Sequence, residues 1–238
     1  MVRMKHHSGF LFFVLGSLLI FFSALSTPLR TVADESLIIE HGRRDGKIAL
    51  TFDACPTSLP EEYDERVVEV LLREKVPATL FLSGRWVEKN PEKAKFLGEQ
   101  AQFEIAAHSY WHPHLLEKDD ARVAREMKRT NAIIKKVTGK TPKYFRPPFG
   151  EVDERVAKLA KEAGLITIQY DIASGDPDPG LAPGRIVRSV LREAKGGSII
   201  VFHMNKKGVH TAEILPEIIR GLRKKGFTLV TVGDLLKE

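Results

Sequence analysis

The 238-residue chain contains one cysteine, Cys55, and this scarcity limits the kinds of protein it can be. A single cysteine cannot form an internal disulfide, and it excludes zinc modules that are held by several cysteines. Disordered and collagen-like proteins are also excluded, because the chain has 43% hydrophobic residues and only 18 Gly and 13 Pro. We therefore expect one globular domain with a sizeable apolar core.

The sequence also lacks a basic stripe interleaved with aromatic residues, which is the usual mark of a nucleic-acid surface. The net charge is +6, but Arg3, Lys5 and Arg30 contribute half of it within the first 33 residues, where no acidic residue occurs. The remainder of the chain is close to balanced, as on an ordinary protein surface. We expect no nucleic-acid partner.

A long uncharged run lies near the start of the chain. Gly9 to Leu25 contains no charged residue and follows the basic residues Arg3 and Lys5. This pattern is typical of a secretory signal peptide or a short N-terminal membrane anchor, with the positive flank inside. We predict a leader over residues 1–33, a linker over 34–46 and one exported domain over 47–238, which meets a membrane only through its N-terminal segment.

From residue 47 onward, short apolar segments alternate with amphipathic ones. The predicted strands span residues 47–53, 78–82, 103–107, 144–146, 165–171, 198–203 and 227–232. The predicted helices span residues 61–75, 91–100, 119–137, 153–163, 184–195 and 211–225. Such alternation favours an α/β fold in which helices cover a parallel sheet. Seven strands in one domain favour closure into a barrel over an open sheet.

Reactive side chains follow five of the predicted strands at the point where each strand ends. They are Asp53, His108, Arg146, Asp171 and His203. The carboxyl ends of the strands in a parallel barrel meet at one face, where active sites assemble. The sequence therefore predicts one site that contains all five side chains.

Two imidazoles four residues apart, His108 and His112, indicate a metal site. On a helical turn both would lie on one face, and neutral imidazole suits zinc, cobalt, nickel or iron. Cys55 could serve as a nucleophile, but we interpret it as a small packed thiol.

The other reactive residues suggest proton transfer. Asp53 is suited to act as a general base or a metal ligand, and the guanidinium of Arg146 would keep it ionised. His203 and Asp171 resemble a pair in which the acid favours protonated imidazole, as a general acid requires. The set predicts metal-assisted hydrolysis of an amide or ester.

Five segments also match, in order, the motifs of one known family. Two are complete, at residues 108–113 (H-S-Y-W-H-P) and 146–150 (R-P-P-F-G), and three are partial, at residues 51–56, 171–176 and 199–203. From about Lys47 to Leu236 the chain resembles the NodB-homology polysaccharide deacetylases, carbohydrate esterase family 4. The resemblance implies a distorted (β/α)7 barrel that removes N-acetyl groups from an amino-sugar polymer such as peptidoglycan, a chitin-like oligomer or an exopolysaccharide.

The resemblance also implies roles for individual residues. It implies that Asp53 is the general base, that Arg146 orients it, and that His203 is the general acid. It also implies that Asp171 tunes His203, and that His108 and His112 bind a divalent metal, most often zinc. Water on the metal would attack the acetyl carbonyl.

The first motif departs from the family pattern at Ala54. The family has T-F-D-D-G-P, whereas residues 51–56 read T-F-D-A-C-P. The family's second Asp is the third metal ligand, and a methyl group cannot replace it. Three resolutions exist. We favour the first, in which Asp53 turns onto the metal; in the others Asp176 or Glu104 substitutes, or the metal binds weakly or not at all.

Two other functions are compatible with the same sequence. One is a non-catalytic, polysaccharide-binding relative that lost activity with the ligand at position 54. The other is an amidohydrolase that acts on a small molecule. An open groove lined by Trp86, Tyr110, Trp111 and Phe149 would favour a polymer, because sugars stack on aromatic faces, and a closed pocket would favour a small substrate.

The leader predicts where the protein is found. The full chain, expressed in a bacterium, should be processed or should fractionate with membranes, whereas a chain that starts near Ala33 should be soluble. Immunoblots of the cell fractions check this. Unprocessed full-length protein in the cytosol would contradict the prediction of export.

Overall fold

The computed structural model describes residues 37–43, 45–56 and 63–237. The leader predicted over residues 1–33 lies outside the described residues, and so does the start of the helix predicted over 61–75. Within the described part of the chain, we find no helix with the length and apolar character needed to cross a membrane.

The strands and helices alternate along the chain. The strands are β1 (Ile38–Ile39), β2 (Lys47–Ala54), β3 (Ala78–Leu82), β4 (Phe103–Ala107), β5 (Tyr144–Phe145), β6 (Ile166–Ile168), β7 (Ile172–Ala173), β8 (Ile199–His203) and β9 (Thr228–Val230). The helices are α1 (Glu65–Arg73), α2 (Gly84–Lys89), α3 (Pro91–Glu99), α4 (Asp120–Thr138), α5 (Glu154–Glu162), α6 (Pro183–Glu193), α7 (Thr211–Lys224) and α8 (Val232–Leu235).

The strands form one parallel sheet that curves into a distorted barrel. Their order is β1-β6-β5-β4-β3-β2-β8-β7, and β9 pairs with the amino half of β2. β7 is the last strand of this order and β6 is the second, beside β1, yet only residues 169–171 connect β6 to β7. The two ends of the sheet must therefore be close in space. The predicted α/β fold with a parallel barrel is confirmed, and its seam lies between β6 and β7.

Two differences from the predicted elements follow from this seam. The strand predicted over residues 165–171 is divided into β6 and β7, because the chain crosses there from one end of the sheet to the other. β1 lies within the segment predicted to be a linker and pairs in parallel with β6. The sheet therefore begins before Lys47.

Side chains alternate between two apolar layers along β2. Leu50, Phe52 and Ala54 belong to the layer that includes the helices, whereas Ala49 belongs to a smaller cluster inside the barrel. Val232 of α8 joins that inner cluster, and its backbone N–H donates to Thr79 Oγ1 at 2.8 Å. The amino end of the barrel is therefore filled by apolar side chains, and reactive groups lie at the carboxyl end.

Local sequence signals determine where the long helix α4 begins and ends. The Asp119 side chain accepts a hydrogen bond from the Arg122 backbone N–H at 2.7 Å, as an N-cap does. Gly139 ends the helix in a left-handed conformation with φ 72°, which glycine adopts without steric cost. Both ends agree with the helix predicted over residues 119–137.

Candidate active site

The carboxyl ends of the strands surround a cavity of about 320 Å³. Asp53 and Cys55 line it from the end of β2, and His203 lines it from the end of β8. Asp53 and His203 are register partners on these adjacent strands. Arg146 and His112 also line the cavity, from the segments after β5 and β4.

Arg146 is a buried guanidinium that holds Asp53. Its Nη1 donates to Asp53 Oδ1 and to Thr51 Oγ1, both at 2.8 Å, and its Nη2 donates to the Gln169 carbonyl at 3.2 Å. Burial raises the pKa of the Asp53 carboxyl and is the largest single effect. Nearby positive charge, led by that of Arg146, and the hydrogen bond from Arg146 together outweigh it, so the pKa lies below its usual value. Asp53 is therefore ionised, with one oxygen held in place.

Arg146 also orients His108 through its backbone. His108 Nδ1 lies 2.9 Å from the Arg146 carbonyl oxygen, which can only accept a hydrogen bond, so Nδ1 carries the proton. The Nε2 lone pair is then free to bind a metal. Nε2 lies 3.6 Å from Cys55 Sγ and 3.8 Å from Asp53 Oδ2.

The two histidines of the predicted metal pair are neutral. Burial lowers the pKa of His108, and burial lowers the pKa of His112 to about 3. Their ring centroids are 4.8 Å apart. Neutral imidazoles are the form that a metal requires.

The two histidines come together through the loop after β4 and not on a helical turn. Ser109 and His112 have left-handed backbone with φ of 55° and 57°. Glu126, buried on α4, accepts hydrogen bonds from the backbone N–H groups of Tyr110 at 2.8 Å and Trp111 at 2.7 Å. Sequence analysis missed Glu126, and its only signal is a charged residue on the apolar face of a predicted helix.

Among the described residues, one group of candidate ligands is compact enough for a metal ion. It consists of Cys55, His108 and His112, whose ligand atoms all lie within 4.8 Å of one another. A thiol and two imidazoles are donors that suit zinc. Asp53 lies outside this group.

The two carboxylates that were considered as alternative substitute ligands, Glu104 and Asp176, have other partners. Glu104 accepts hydrogen bonds from Thr79 Oγ1 at 2.7 Å and from the Gly233 N–H at 3.1 Å, near the amino end of the barrel. Asp176 accepts from Ser174 Oγ at 2.8 Å and from the His203 backbone N–H at 2.7 Å. Cys55 is thus the ligand-type group that lies next to the histidines. It is buried, as expected of a packed thiol, but its nearness to the histidines was not predicted.

The acidic partner of His203 is Asp176. His203 Nδ1 lies 3.1 Å from Asp176 Oδ1. Burial lowers the pKa of His203, but the hydrogen bond to Asp176 and its charge outweigh burial and raise the pKa above its usual value. His203 is therefore suited to hold a proton.

The prediction that Asp171 pairs with His203 is wrong. Asp171 lies at the amino end of β7, where its carboxylate accepts from the Ile199 N–H at 2.8 Å and from Ser198 Oγ at 3.0 Å. His203 lies four residues beyond Ile199, which is about 13 Å along a strand. The break between β6 and β7 moves Asp171 to the end of the sheet away from the cavity.

The predicted aromatic groove is present only in part. Trp86 and Tyr110 are buried, whereas Trp111 and Phe149 are 46% and 52% exposed. Phe149 lines the cavity and stacks on His114 with the ring centroids 4.1 Å apart. Its φ of 59° is strained for an aromatic residue, and such strain is concentrated at functional sites.

Comparisons with known proteins point to one family. A family model described as polysaccharide deacetylase matches residues 41–168. A peptidoglycan-N-acetylglucosamine deacetylase of Bacillus cereus is 32% identical over 193 residues, which are 80% of this chain and 88% of that protein. The Bacillus subtilis protein YlxY is 32% identical over 177 residues, which are 74% of this chain, and the chain spans 54% of its length.

A solved structure is similar over most of the fold. It is a CE4-family pseudoenzyme from Bacillus anthracis, with a TM-score of 0.76 and 28% identity. The match covers 84% of this chain and 69% of that one. The (β/α)7-type barrel of this chain is therefore the fold of that family.

The position of Asp171 generates a prediction about stability. Asp171→Ala should lower the free energy of unfolding by about 1–3 kcal/mol, because the Ile199 N–H and the Ser198 hydroxyl lose their acceptor. Urea denaturation measures the loss. Activity per folded molecule should not change. A variant with unchanged stability and reduced activity would show instead that Asp171 acts in the active site.

Proposed function

The chain belongs to the polysaccharide deacetylase family, and from this premise we propose that it hydrolyses N-acetyl groups of amino sugars in a polysaccharide. Peptidoglycan is the substrate to test first, because the Bacillus cereus relative is named for it. This substrate agrees with the export expected from the leader.

One observation carries the proposal: a carboxylate and an imidazole whose pKa values are shifted in opposite directions line the same cavity. Asp53 and His203 are register partners on strands β2 and β8, which places their backbones about 5 Å apart. Their surroundings move the two pKa values in opposite directions, downward for Asp53 and upward for His203. Two groups whose pKa values are pushed apart form a base and an acid at the same pH.

The reaction divides the proton transfers between these two residues. Asp53 takes a proton from the attacking water, while Arg146 keeps the carboxylate in place. His203 holds Asp176 through Nδ1, so that Nε2 can give its proton to the leaving amine nitrogen. A divalent metal bound by His108 and His112 would polarise the acetyl carbonyl and lower the pKa of water.

Exposed aromatic surface supports a carbohydrate substrate. Phe149 lines the cavity with half of its side chain exposed, and it offers an apolar face to a sugar ring. Trp111, also about half exposed, belongs to the same loop as His112. Trp111 directly precedes His112 in the sequence, and Phe149 lies three residues after Arg146.

A second candidate function is a non-catalytic polysaccharide-binding protein. Ala54 favours it, because the family's second Asp is missing there, and the similar Bacillus anthracis structure is described as a pseudoenzyme. Such a protein would bind the polymer without releasing acetate. The presence of both proton-transfer pairs, Arg146 with Asp53 and Asp176 with His203, in one cavity favours the enzyme.

Acetate release distinguishes the two functions. The zinc-loaded protein should release acetate from N-acetylated peptidoglycan. His203→Ala should slow release by about 10²–10⁴-fold, because the leaving amine loses its acid. The zinc content of the variant should equal that of the parent, since His203 is not a ligand.

Two outcomes would contradict the proposal. Parent protein that binds peptidoglycan and releases no acetate at any zinc concentration would favour the non-catalytic candidate. Loss of zinc from His203→Ala would mean that His203 serves the metal and not the leaving group.

The pairing of His203 with Asp176 predicts a pH effect. His203 acts as an acid only while protonated, so the rate falls as the pH rises through its pKa. Asp176→Asn removes the charge that raises this pKa, so the alkaline limb of the kcat/KM profile should move to lower pH. The acidic limb, which Asp53 sets, should stay in place. An equal loss of rate at every pH would show that Asp176 only maintains the fold.

A further inference from the structure

We infer that Cys55 is the third protein ligand of the metal site, where its sulfur replaces the carboxylate that is missing at Ala54. The inference rests on the proposed function for the presence of a metal. It assigns a ligand set of one thiolate and two imidazoles, from Cys55, His108 and His112.

The direction of the β2 backbone places the sulfur in the site. Side chains alternate along a strand, so Asp53 and Cys55 both line the cavity, while Ala54 between them is fully buried in the apolar layer with the helices. The residue type that can bind a metal is thus found one position later than in the family's motif.

Hydrogen bonds hold this end of β2 in place. The Met204 N–H donates to the Asp53 carbonyl and the Ser83 N–H donates to the Ala54 carbonyl, both at 3.1 Å. Asn205 Nδ2 donates to the Cys55 carbonyl at 2.5 Å. Because three consecutive carbonyls are held, the thiol has a defined direction toward the histidines.

The distance between the Cys55 sulfur and the His108 nitrogen is that expected of two ligands on one zinc ion. Zinc binds sulfur at about 2.3 Å and imidazole nitrogen at about 2.0–2.1 Å with tetrahedral angles, which places the two ligand atoms about 3.6 Å apart. Cys55 Sγ and His108 Nε2 are 3.6 Å apart. The distance between these two atoms therefore matches that of two ligands on one zinc ion.

Asp53 fits the third position less well. A carboxylate oxygen and an imidazole nitrogen on one zinc ion would be about 3.4 Å apart, whereas Asp53 Oδ2 lies 3.8 Å from His108 Nε2. Its other oxygen is held by Arg146 at 2.8 Å. Coordination by Cys55 leaves Asp53 free to act as the base.

Sulfur also restricts the identity of the metal. Coordination breaks the S–H bond of Cys55, forms a metal–sulfur bond and releases the proton to solvent. Thiolate is a soft ligand that favours zinc over magnesium or manganese. We therefore expect the purified protein to bind zinc and cobalt in preference to these harder ions.

Cobalt replacement of zinc tests the inference directly. Co²⁺ bound by a thiolate absorbs in the near ultraviolet through sulfur-to-metal charge transfer, and Cys55 is the only cysteine in the chain. The Co²⁺-loaded full chain should show this band. Cys55→Ser should abolish the band and weaken zinc binding by about 100-fold or more, since the cost should exceed that of removing an outer-shell partner.

Matched variants make the result specific. His112→Ala should also lose metal, whereas His41→Ala, an exposed histidine that bonds the neighbouring Gly42 carbonyl, should keep the band and the affinity. Circular dichroism checks that each variant is folded. If Cys55→Ser does not fold, the spectrum of the parent alone decides.

The outcomes separate this inference from the proposed function. Cobalt bound by the parent without the charge-transfer band, or zinc bound equally tightly by folded Cys55→Ser, would overturn the role of Cys55. The band without acetate release would refute the deacetylase and leave the ligand assignment intact. Acetate release without the band would refute the ligand assignment alone.

Discussion

The buried ion pair between Arg146 and Asp53 is the interaction on which the rest of the site depends. The guanidinium is 1% exposed, and its hydrogen bonds reach Asp53, Thr51 and the Gln169 carbonyl. The backbone carbonyl of the same residue accepts the proton of His108 Nδ1. One residue therefore orients both Asp53, the proposed base, and His108, a proposed metal ligand. Removal of either member of such a pair commonly costs 3–5 kcal/mol, because an unpaired charge stays buried.

This pair also explains how the site tolerates Ala54. Since Arg146 holds one oxygen of Asp53, the carboxylate is committed to the position of a base. The compact ligand group then consists of the two histidines and Cys55. In the proposed enzyme, Asp53 acts as the base and a separate group binds the metal, with the Cys55 sulfur as the third ligand.

Much of the site could be predicted from sequence, because strand ends and family motifs are local features. The incorrect and missed predictions concern residues whose contacts depend on the three-dimensional path of the chain. Asp171 was predicted to pair with His203, but Asp176 does so. The chain breaks between β6 and β7 at the barrel seam, and this break places Asp171 at the other end of the sheet. The position of Cys55 beside the histidines was not predicted, because the direction of its side chain depends on the path of the chain at the end of β2. Glu126 was missed because a helical pattern does not reveal which loop a buried charge will meet.

The zinc affinity of Asp53→Asn tests the central claim most directly, namely that Asp53 is the base and lies outside the metal's ligand set. The account predicts that zinc affinity falls by no more than about tenfold, the lower range for an outer-shell change, while acetate release is lost. Loss of zinc together with activity would contradict the account, because Asp53 would then be a ligand itself.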